Sequence, residues 1–536
     1  MEMFARVSKG KNLRFVQVTR PRSLFDFAEG RYKGLDTLRR ILTQARCHGV
    51  QTIAIEELDP SQEIIEENED LLMLAKTAFT SHTYRLSLFS KQIHHQNHLD
   101  KLTDRDFIGY VIIKNDLGIN KNNHGLHIYE SAIRKSRHPH NFIHREQKWS
   151  CLVGKKTFNV SGYLFFQQNG LTNVCAHAAL RTVLASFESG NLVSYRKINE
   201  ILDIDHKLKF AQEGLRSDEI EQVLKKLGVG CFVGDFKAGN KSPIPFQRVL
   251  YSGIESGYPA IVFFKTNRRT HHAIPVFGHT FNEDTWVPGA DHCYFSTETD
   301  HQCIYSDAWL SMFIGHDDNI GSNLCIPKHY LQTKRQYIEE QASSPAGGAI
   351  EIDSVAYIIS TYPKEVEMYF AKAEAAAIET LVQILDQIKS KSLPWVRRLI
   401  DFQQKNQIVV RPVLVTSAEY LAHLRKVRDW DTNPALGDSL NEVAKWLCDK
   451  RLFWMIEFSV PELFSATKRK MAEVLLRADA TIGSPADLTN QVCARLPGSF
   501  VLPIEHGPWA GTETFRFLPS GLLSHIEAYR CEEGLK

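Results

Sequence analysis

The sequence predicts an α+β protein of several domains, and three observations support this class. At 536 residues the chain is too long for one ordinary hydrophobic core, so two to four domains are expected. The apolar (43%) and charged (24%) fractions are those of an ordinary globular protein. In the middle of the chain, helical patterns come first and strand patterns follow. We therefore expect a central α+β domain between mixed α/β N-terminal and C-terminal regions.

Composition excludes several classes of function. The 64 Lys and Arg residues nearly balance the 62 Asp and Glu residues, so nothing global indicates binding to nucleic acid or to a membrane surface. The longest apolar runs, such as residues 260–264, have the length of a strand, and the N-terminus lacks a secretory pattern. The prediction is a cytoplasmic protein whose ten scattered cysteines stay reduced. No glycine-rich nucleotide loop is present, and no cofactor is expected.

Residues 1–150 form the predicted N-terminal region. Periodicity predicts strands and helices in alternation, with strands at 12–18, 51–55 and 107–113 and helices at 35–45 and 63–77. The polar stretch 115–123 and the basic stretch 134–140 are interpreted as solvated loops. Because no linker composition follows, this region is expected to pack against the next domain.

Residues 151–342 form the predicted central domain. Its elements are two strands within 151–166 that turn at Gly154-Lys155, a helix from Cys175, helices at 195–202, 217–227, 246–254 and 328–341, and strands at 231–233, 258–265, 271–281 and 309–314. The strands at 258–265 and 271–281 are expected to pair antiparallel. The insert 286–308 contains His292, Cys293, His301 and Cys303, but their spacing fits no standard zinc site, so a surface loop is predicted.

The stretch Ser343–Gly348 is the best predicted boundary. Beyond it, residues 349–536 form a mixed α/β region. A strand at 350–359, a helix at 364–389 and strands at 409–415, 453–458 and 515–517 are expected. The sequence gives no repeat and no motif that assigns this region a role.

Cys175 stands out among the cysteines because of its neighbours. It follows the polar stretch 167–173 and opens a run rich in Ala, Leu and Val without Gly or Pro, which favours a helix. Thr172 or Asn173 is suited to be the N-cap. A thiol in the first turn faces unpaired N–H groups and the positive end of the helix dipole, which favour the nucleophilic thiolate. His177, two residues on, would project from another face and is interpreted as packing.

A second stretch, His272-Ala-Ile-Pro-Val-Phe-Gly278, gives this cysteine a partner. Together the two stretches resemble the papain-like cysteine peptidases, nearest to the peptidases that remove double-glycine leaders during bacteriocin processing. The resemblance covers about residues 160–330. It implies a papain-like catalytic domain in which Cys175 is the nucleophile and His272 is the base. His271 would point to the opposite face of the strand, and His279 follows the glycine.

The resemblance also implies an orienting residue for the histidine and a donor for the oxyanion. Asp317 follows the strand 309–314 and is the expected orienter; Asp318 is the alternative, because a one-residue change of register exchanges the two. Gln168 is the expected oxyanion donor together with the Cys175 N–H. The gap from glutamine to cysteine is one residue longer than in papain, which leaves Gln167 and Asn169 as alternatives.

The expected function is therefore that of a cytoplasmic cysteine protease, a hydrolase that cleaves a protein or peptide amide bond through a Cys-His-Asp triad and a thioester. A deamidase or an acyl or amine transferase would use the same triad. A third hypothesis is a sensor or assembly component whose catalytic domain is subordinate or silent, and whose N- or C-terminal regions bind a protein regulator.

Overall fold

The computed structural model has the α+β class that the sequence predicts. It describes residues 5–6, 10–75, 80–117, 125–135, 141–168, 175–187, 192–204, 214–237, 244–265, 271–281, 303–328, 355–388, 394–426, 441, 443–445, 447, 452–467, 469–479, 491–503, 515–519 and 526–527. Three large sheets, one in each part of the chain, organise these residues.

The N-terminal region is built on a five-stranded antiparallel sheet with the spatial order Gly10–Gln17, Thr52–Leu58, Thr80–Phe89, Phe107–Leu117 and Leu126–Ile133. Its helices are Arg22–Arg31, Asp36–Cys47 and Gln62–Ala75. The apolar residues of the second helix recur at helical spacing, so Leu38, Ile41 and Leu42 are buried on one face of the sheet. The other face packs on a small sheet of the strands Ala5–Arg6, Gln147–Val153 and Lys156–Gly162.

The central sheet has six strands in the spatial order Val229–Asp235, Val355–Pro363, Ala260–Lys265, His271–Phe281, Leu310–Asp317 and Gly321–Pro327, and the short strand Asn141–Phe142 also pairs with the fourth. All these pairs are antiparallel. Because side chains alternate along a strand, Ile261 and Phe263 face the helices Cys175–Leu184, Tyr195–Leu202 and Ser217–Lys226. Val262 and Phe264 face the helix Phe246–Glu255 on the other side.

The C-terminal sheet has the spatial order Ile304–Tyr305, Val409–Thr416, Leu452–Ser459, Ala472–Arg477, Gln491–Leu496, Ser499–Pro503 and Phe515–Pro519. The helices Phe370–Ile388 and Pro394–Gln404 belong to the core on one face. The helix Ser417–Lys426 covers the other. The helix Pro461–Thr467 leads into a two-stranded pair of Arg469–Lys470 and Ile526–Glu527.

Two predicted domain boundaries divide elements that the structure joins. The strand Val355–Pro363 follows the predicted boundary at 343–348, yet it pairs with Val229–Asp235 on one side and with Ala260–Lys265 on the other. The predicted boundary at residue 150 falls inside the strand Gln147–Val153. Both boundaries are corrected, because a loop-like composition indicates exposed chain and says nothing about which strand the chain pairs with next.

Several smaller predictions also need correction. Residues 115–117, predicted as loop, extend the strand Phe107–Leu117. The predicted surface insert ends in buried structure, since Cys303 is 4% exposed and is followed by a strand. Arg134, predicted in a solvated loop, donates to the backbone carbonyls of Asp104 and Phe107, both at 2.7 Å. Residues 136–140 and 282–302 and the predicted helix 329–341 lie outside the described residues.

Candidate active site

Cys175 is the first residue of the helix Cys175–Leu184. It is partly exposed, whereas every later residue of the helix is buried. The first N–H groups of a helix have no acceptor within it, so they favour negative charge at this end. The two residues expected as N-cap lie outside the described residues. The structure thus places the thiol as the sequence predicts, at the positive end of a buried helix.

His272 lies on a strand that packs against the helix of Cys175. It is the second residue of the strand His271–Phe281, is 7% exposed and lies against the ring of Phe264. The Cys175 side chain is close enough to the imidazole to help raise the pKa of His272. Gly278, the last residue of the histidine motif, has a steric role: a Cβ there would lie 2.7 Å from Ile143 Cγ1 and 2.9 Å from the Phe142 carbonyl oxygen.

Asp317 orients the histidine. His272 Nε2 lies 3.3 Å from Asp317 Oδ2. The other carboxylate oxygen, Oδ1, accepts from the backbone N–H groups of Asn319 at 2.8 Å and Ile320 at 3.2 Å. This arrangement is a side-chain turn of the kind that Asp forms with its own backbone, and it leaves Asp317 with one oxygen directed at the imidazole.

Asp318, the predicted alternative, also contacts the histidine, so both aspartates lie at the imidazole together. His272 Nε2 lies 3.5 Å from Asp318 Oδ1. The expectation treated the two aspartates as alternatives because neighbouring residues on a strand point to opposite faces. Here Asp317 is the last strand residue, and the strand register shifts between Gly315 and Asp317. Alternation ends at this irregularity, so both carboxylates reach the same ring.

The two carboxylates determine the charge of the imidazole. Burial by itself lowers the pKa of His272, but the charge and hydrogen bond of Asp317, the charge of Asp318 and the bond to Cys175 outweigh it, and the pKa lies well above its usual value. Burial likewise raises the pKa of Asp317, but His272 and the two backbone N–H groups lower it below its usual value. Both directions favour the charged pair of imidazolium and carboxylate.

Gln168 reaches the same turn. Its Nε2 donates to Asn319 Oδ1 at 3.0 Å, and Asn319 Nδ2 donates to Asp318 Oδ1 at 3.4 Å. Gln167, an alternative, is engaged elsewhere: its Oε1 accepts from Thr37 Oγ1 at 3.0 Å and from the Ile128 N–H at 2.9 Å. Asn169 lies outside the described residues. Of the two described glutamines, Gln168 is the one whose side chain contacts the turn that follows the carboxylates.

Asn319 is the residue at this site that the sequence analysis missed. It stands directly after the two aspartates, and only its position there could have drawn attention to it. Polar residues after a strand are common in turns, so this signal is weak.

The other histidines have separate roles. His279 contacts Glu255 at the far end of the same strand. His177 is buried and lies 2.8 Å from Asn199 Oδ1, in agreement with a packing role. The side chain of His271 is outside the described part of the chain.

Among the described residues, two groups of side chains have the composition of a metal site, namely His272 with Asp317 and Asp318, and His144 with Glu255 and His279. In the second group Glu255 also binds a cation of the protein, since Arg411 Nε donates to its Oε1 at 2.6 Å. An arginine already neutralises this carboxylate, which disfavours a second cation there. The residues His292, Cys293 and His301 lie outside the described residues, and the thiol of Cys303 is buried.

The helix Asp36–Cys47 of the N-terminal region anchors the chain that follows the carboxylates. Arg40 donates from Nε to the Ser322 carbonyl at 2.9 Å and from Nη2 to the Asn323 carbonyl at 2.8 Å. Gln44 Nε2 adds a bond to Ser322 at 2.6 Å. The strand that begins at Gly321 is thus held from outside the central sheet.

Replacement of Arg40 by Ala is expected to lower the free energy of unfolding by about 1–3 kcal/mol, because the Asn323 carbonyl loses its Arg40 donor and the Ser322 carbonyl loses one of its two side-chain donors. Denaturation by urea measures the change. The matched control is Arg39→Ala on the same helix, whose partners Glu29 and Asp36 are exposed; the expected loss there is below about 1 kcal/mol. Equal losses in the two variants would show that the bonds from Arg40 to the Ser322 and Asn323 carbonyls stabilise the fold no more than an exposed ion pair does.

The helix Cys175–Leu184 is held by the N-terminal region as well. Arg181, fully buried on that helix, donates to Glu63 Oε2 at 2.9 Å. Its guanidinium also lies over the rings of Phe166 and Tyr195, at 4.1 and 4.7 Å from their centroids. Such a buried cation needs a partner, and Glu63 belongs to the helix Gln62–Ala75. The N-terminal region therefore contacts both the helix that begins at Cys175 and the segment after the two aspartates.

No family model, no curated protein and no solved structure matches this chain. Among the described residues, none of the helices combines the length and the apolar character that crossing a bilayer requires. The chemistry of the site rests on its own geometry.

Proposed function

We propose that this protein is a papain-like cysteine peptidase that cleaves an amide bond of a protein or peptide. The observation that supports it most is the position of His272: its Nε2 lies 3.3 Å from Asp317 and 3.5 Å from Asp318, and the Cys175 side chain is among the groups that raise its pKa. A thiol at a helix start, an imidazole and an orienting carboxylate are the three groups that covalent acyl transfer requires.

In this mechanism the two nitrogens of His272 have different tasks. Nε2 is occupied by the carboxylates, which leaves Nδ1 for the sulfur. The thiolate of Cys175 attacks the carbonyl carbon, and an oxyanion forms. As the C–N bond breaks, the imidazolium gives its proton to the leaving amine. Water then attacks the thioester, transfers a proton to the imidazole, and releases the acid and the sulfur.

Gln168 and the backbone N–H of Cys175 are the proposed donors to the oxyanion. The arrangement of the helix and strands also supports the assignment as a papain-like peptidase. The helix Cys175–Leu184 packs on the antiparallel sheet whose neighbouring strands carry His272 and Asp317. A protein or peptide substrate and a cytoplasmic setting belong to the proposal and rest on the resemblance and the composition.

A cation site is the second candidate, favoured by one observation. Ligand atoms of His272, Asp317 and Asp318 all lie within 4.8 Å of one another, and nitrogen and carboxylate oxygen are common zinc ligands. A chelator separates the two candidates. The cysteine mechanism predicts that EDTA leaves the rate of amide-bond cleavage unchanged, whereas a resident metal predicts that EDTA lowers this rate and that added zinc restores it.

Alkylation by iodoacetamide across a range of pH tests the proposal without a known substrate. Cys175 is expected to react fast below neutral pH, because a paired imidazolium stabilises the thiolate, and His272→Ala is expected to remove this reactivity. Cys47 is exposed and serves as the internal reference. Buried Cys151, whose pKa is raised to about 11 by burial, is expected to stay unreactive. Peptide mapping identifies the labelled residue; equal rates at Cys175 and Cys47 would contradict the proposal.

A further inference from the structure

Asn319 joins the two halves of the candidate site. Its side-chain Oδ1 accepts from Gln168, its Nδ2 donates to Asp318, and its backbone N–H donates to Asp317. Asp317 and Asp318 in turn contact His272. One turn residue thus touches the proposed oxyanion donor and both carboxylates.

The charge of Asp318 determines which way the two amides point. An ionised carboxylate only accepts hydrogen bonds, so Asn319 must present its NH₂ group to Asp318 and its oxygen to Gln168. Gln168 must then present its own NH₂ group to Asn319. One of the two N–H bonds of Gln168 is used in this contact, and the second is left to donate elsewhere.

We propose that Asn319 is a positioning residue that holds the Gln168 amide as an oxyanion donor. The inference rests on the proposed function. A free glutamine side chain has several rotamers, and ordering it costs up to about 2 kcal/mol. A donor contributes most to catalysis when it is oriented before the charge develops. Asn319 supplies this order, and the donation from Gln168 to Asn319 to Asp318 ends on an anion, which strengthens each bond in the chain.

The turn itself does not depend on the Asn319 side chain. Asp317 Oδ1 accepts from the backbone N–H groups of Asn319 and Ile320, and these groups are present whatever the residue at position 319. Substitution by Ala therefore removes the link to Gln168 and leaves the bonds that orient Asp317. This separation allows the positioning role to be tested apart from folding.

The test compares two reactions of Cys175. Acylation by p-nitrophenyl acetate passes through an oxyanion: the sulfur bonds to the carbonyl carbon and p-nitrophenolate leaves. Alkylation by iodoacetamide displaces iodide directly and forms no oxyanion. We expect Gln168→Ala to slow acylation by about 100-fold and Asn319→Ala by about tenfold. Both variants should keep the wild-type rate of alkylation within about twofold.

A double-mutant cycle shows whether Asn319 acts through Gln168. The variant with both substitutions is expected to acylate no more slowly than Gln168→Ala alone. Asn319→Asp keeps an acceptor for Gln168 while it removes the donor to Asp318, so it is expected to retain more acylation than Asn319→Ala. Ser322→Ala is the control in the same segment, because its hydroxyl donates to Gln44 at 3.2 Å and does not touch the site.

The outcomes separate this inference from the proposed function. Fast alkylation of Cys175 with unchanged acylation in Asn319→Ala overturns the positioning role alone. Effects that multiply in the double variant overturn it as well, because they show that Asn319 acts independently of Gln168. If Cys175 is alkylated no faster than Cys47, the peptidase proposal fails and the inference fails with it.

Discussion

Asp317→Asn is expected to lower the rate of Cys175 acylation by about 10⁴-fold, the effect that the same change has at the buried aspartate of a serine protease triad. The reason is the turn that follows Asp317, because its backbone N–H groups determine how an Asn side chain would be oriented. Two backbone N–H groups require an acceptor at Oδ1, so the Asn must place its oxygen there and its NH₂ group toward His272 Nε2. The neutral imidazole then carries its proton on Nδ1, facing the sulfur, and is unable to act as the base.

Asp318→Asn is the comparison for this prediction. Asp318 lies 3.5 Å from the imidazole, against 3.3 Å for Asp317, and it has a side-chain partner in Asn319 where Asp317 has two backbone donors. The expected loss is about tenfold, mainly through a lower pKa of His272 after removal of one negative charge. Acylation by p-nitrophenyl acetate across a range of pH measures both variants. Equal losses would show that the two carboxylates share the orienting role.

Glu255→Gln is expected to lower the free energy of unfolding by about 3–5 kcal/mol, because it leaves the buried Arg411 guanidinium without one of its carboxylates. Glu255 is fully buried and binds Arg411, His144 and His279, which come from three parts of the chain. Arg411 keeps Glu457 as a second partner, so the lower end of the range is expected. Denaturation by urea measures the change.

The surface pair of Lys11 and Asp59, with side chains 62% and 64% exposed, provides the control. Asp59→Asn is expected to change the free energy of unfolding by less than about 1 kcal/mol. A similarly small loss in Glu255→Gln would show that the buried charges contribute no net stability.

The same carboxylate predicts a dependence of stability on pH. Burial by itself raises the pKa of Glu255, but Arg411, His279 and His144 hold it well below the value of 4.5 expected in the unfolded chain. A group with a lowered folded pKa stabilises the fold fully above its unfolded pKa, and this contribution is lost as the pH falls toward the folded pKa. Wild-type protein should lose stability below about pH 4.5 more steeply than Glu255→Gln does.

Local patterns in the sequence were sufficient for the elements that carry the site. The run after Cys175 predicted a helix because its residues favour one, and the helix begins at that residue. Alternation predicted the antiparallel pair of Ala260–Lys265 and His271–Phe281, which the structure confirms. Less regular strands, among them Thr80–Phe89 and Gly321–Pro327, gave no comparable signal.

Long-range pairing was decided only by the tertiary structure. Nothing in the order of residues indicates that Val355–Pro363 lies between two strands that precede it by about a hundred residues. The sequence also does not indicate which charged residues are buried. Four of them lie opposite one another on successive strands and are almost fully buried, namely Arg411, Glu457, Glu473 and Arg495. From its residue type alone, each would be expected at the surface, because a charged side chain is buried only when it has a partner.

The sequence by itself determined which residue types the site contains and in what order, because the helix start at Cys175 and the strand at His272 follow from local propensity. It named Asp317 and Asp318 as alternatives and Gln168 as one of three candidates. The tertiary structure brought both carboxylates to one imidazole and placed Asn319 between Asp318 and Gln168. These contacts arise where strand alternation ends in a turn, and a turn's side-chain directions depend on backbone geometry that no sequence periodicity encodes.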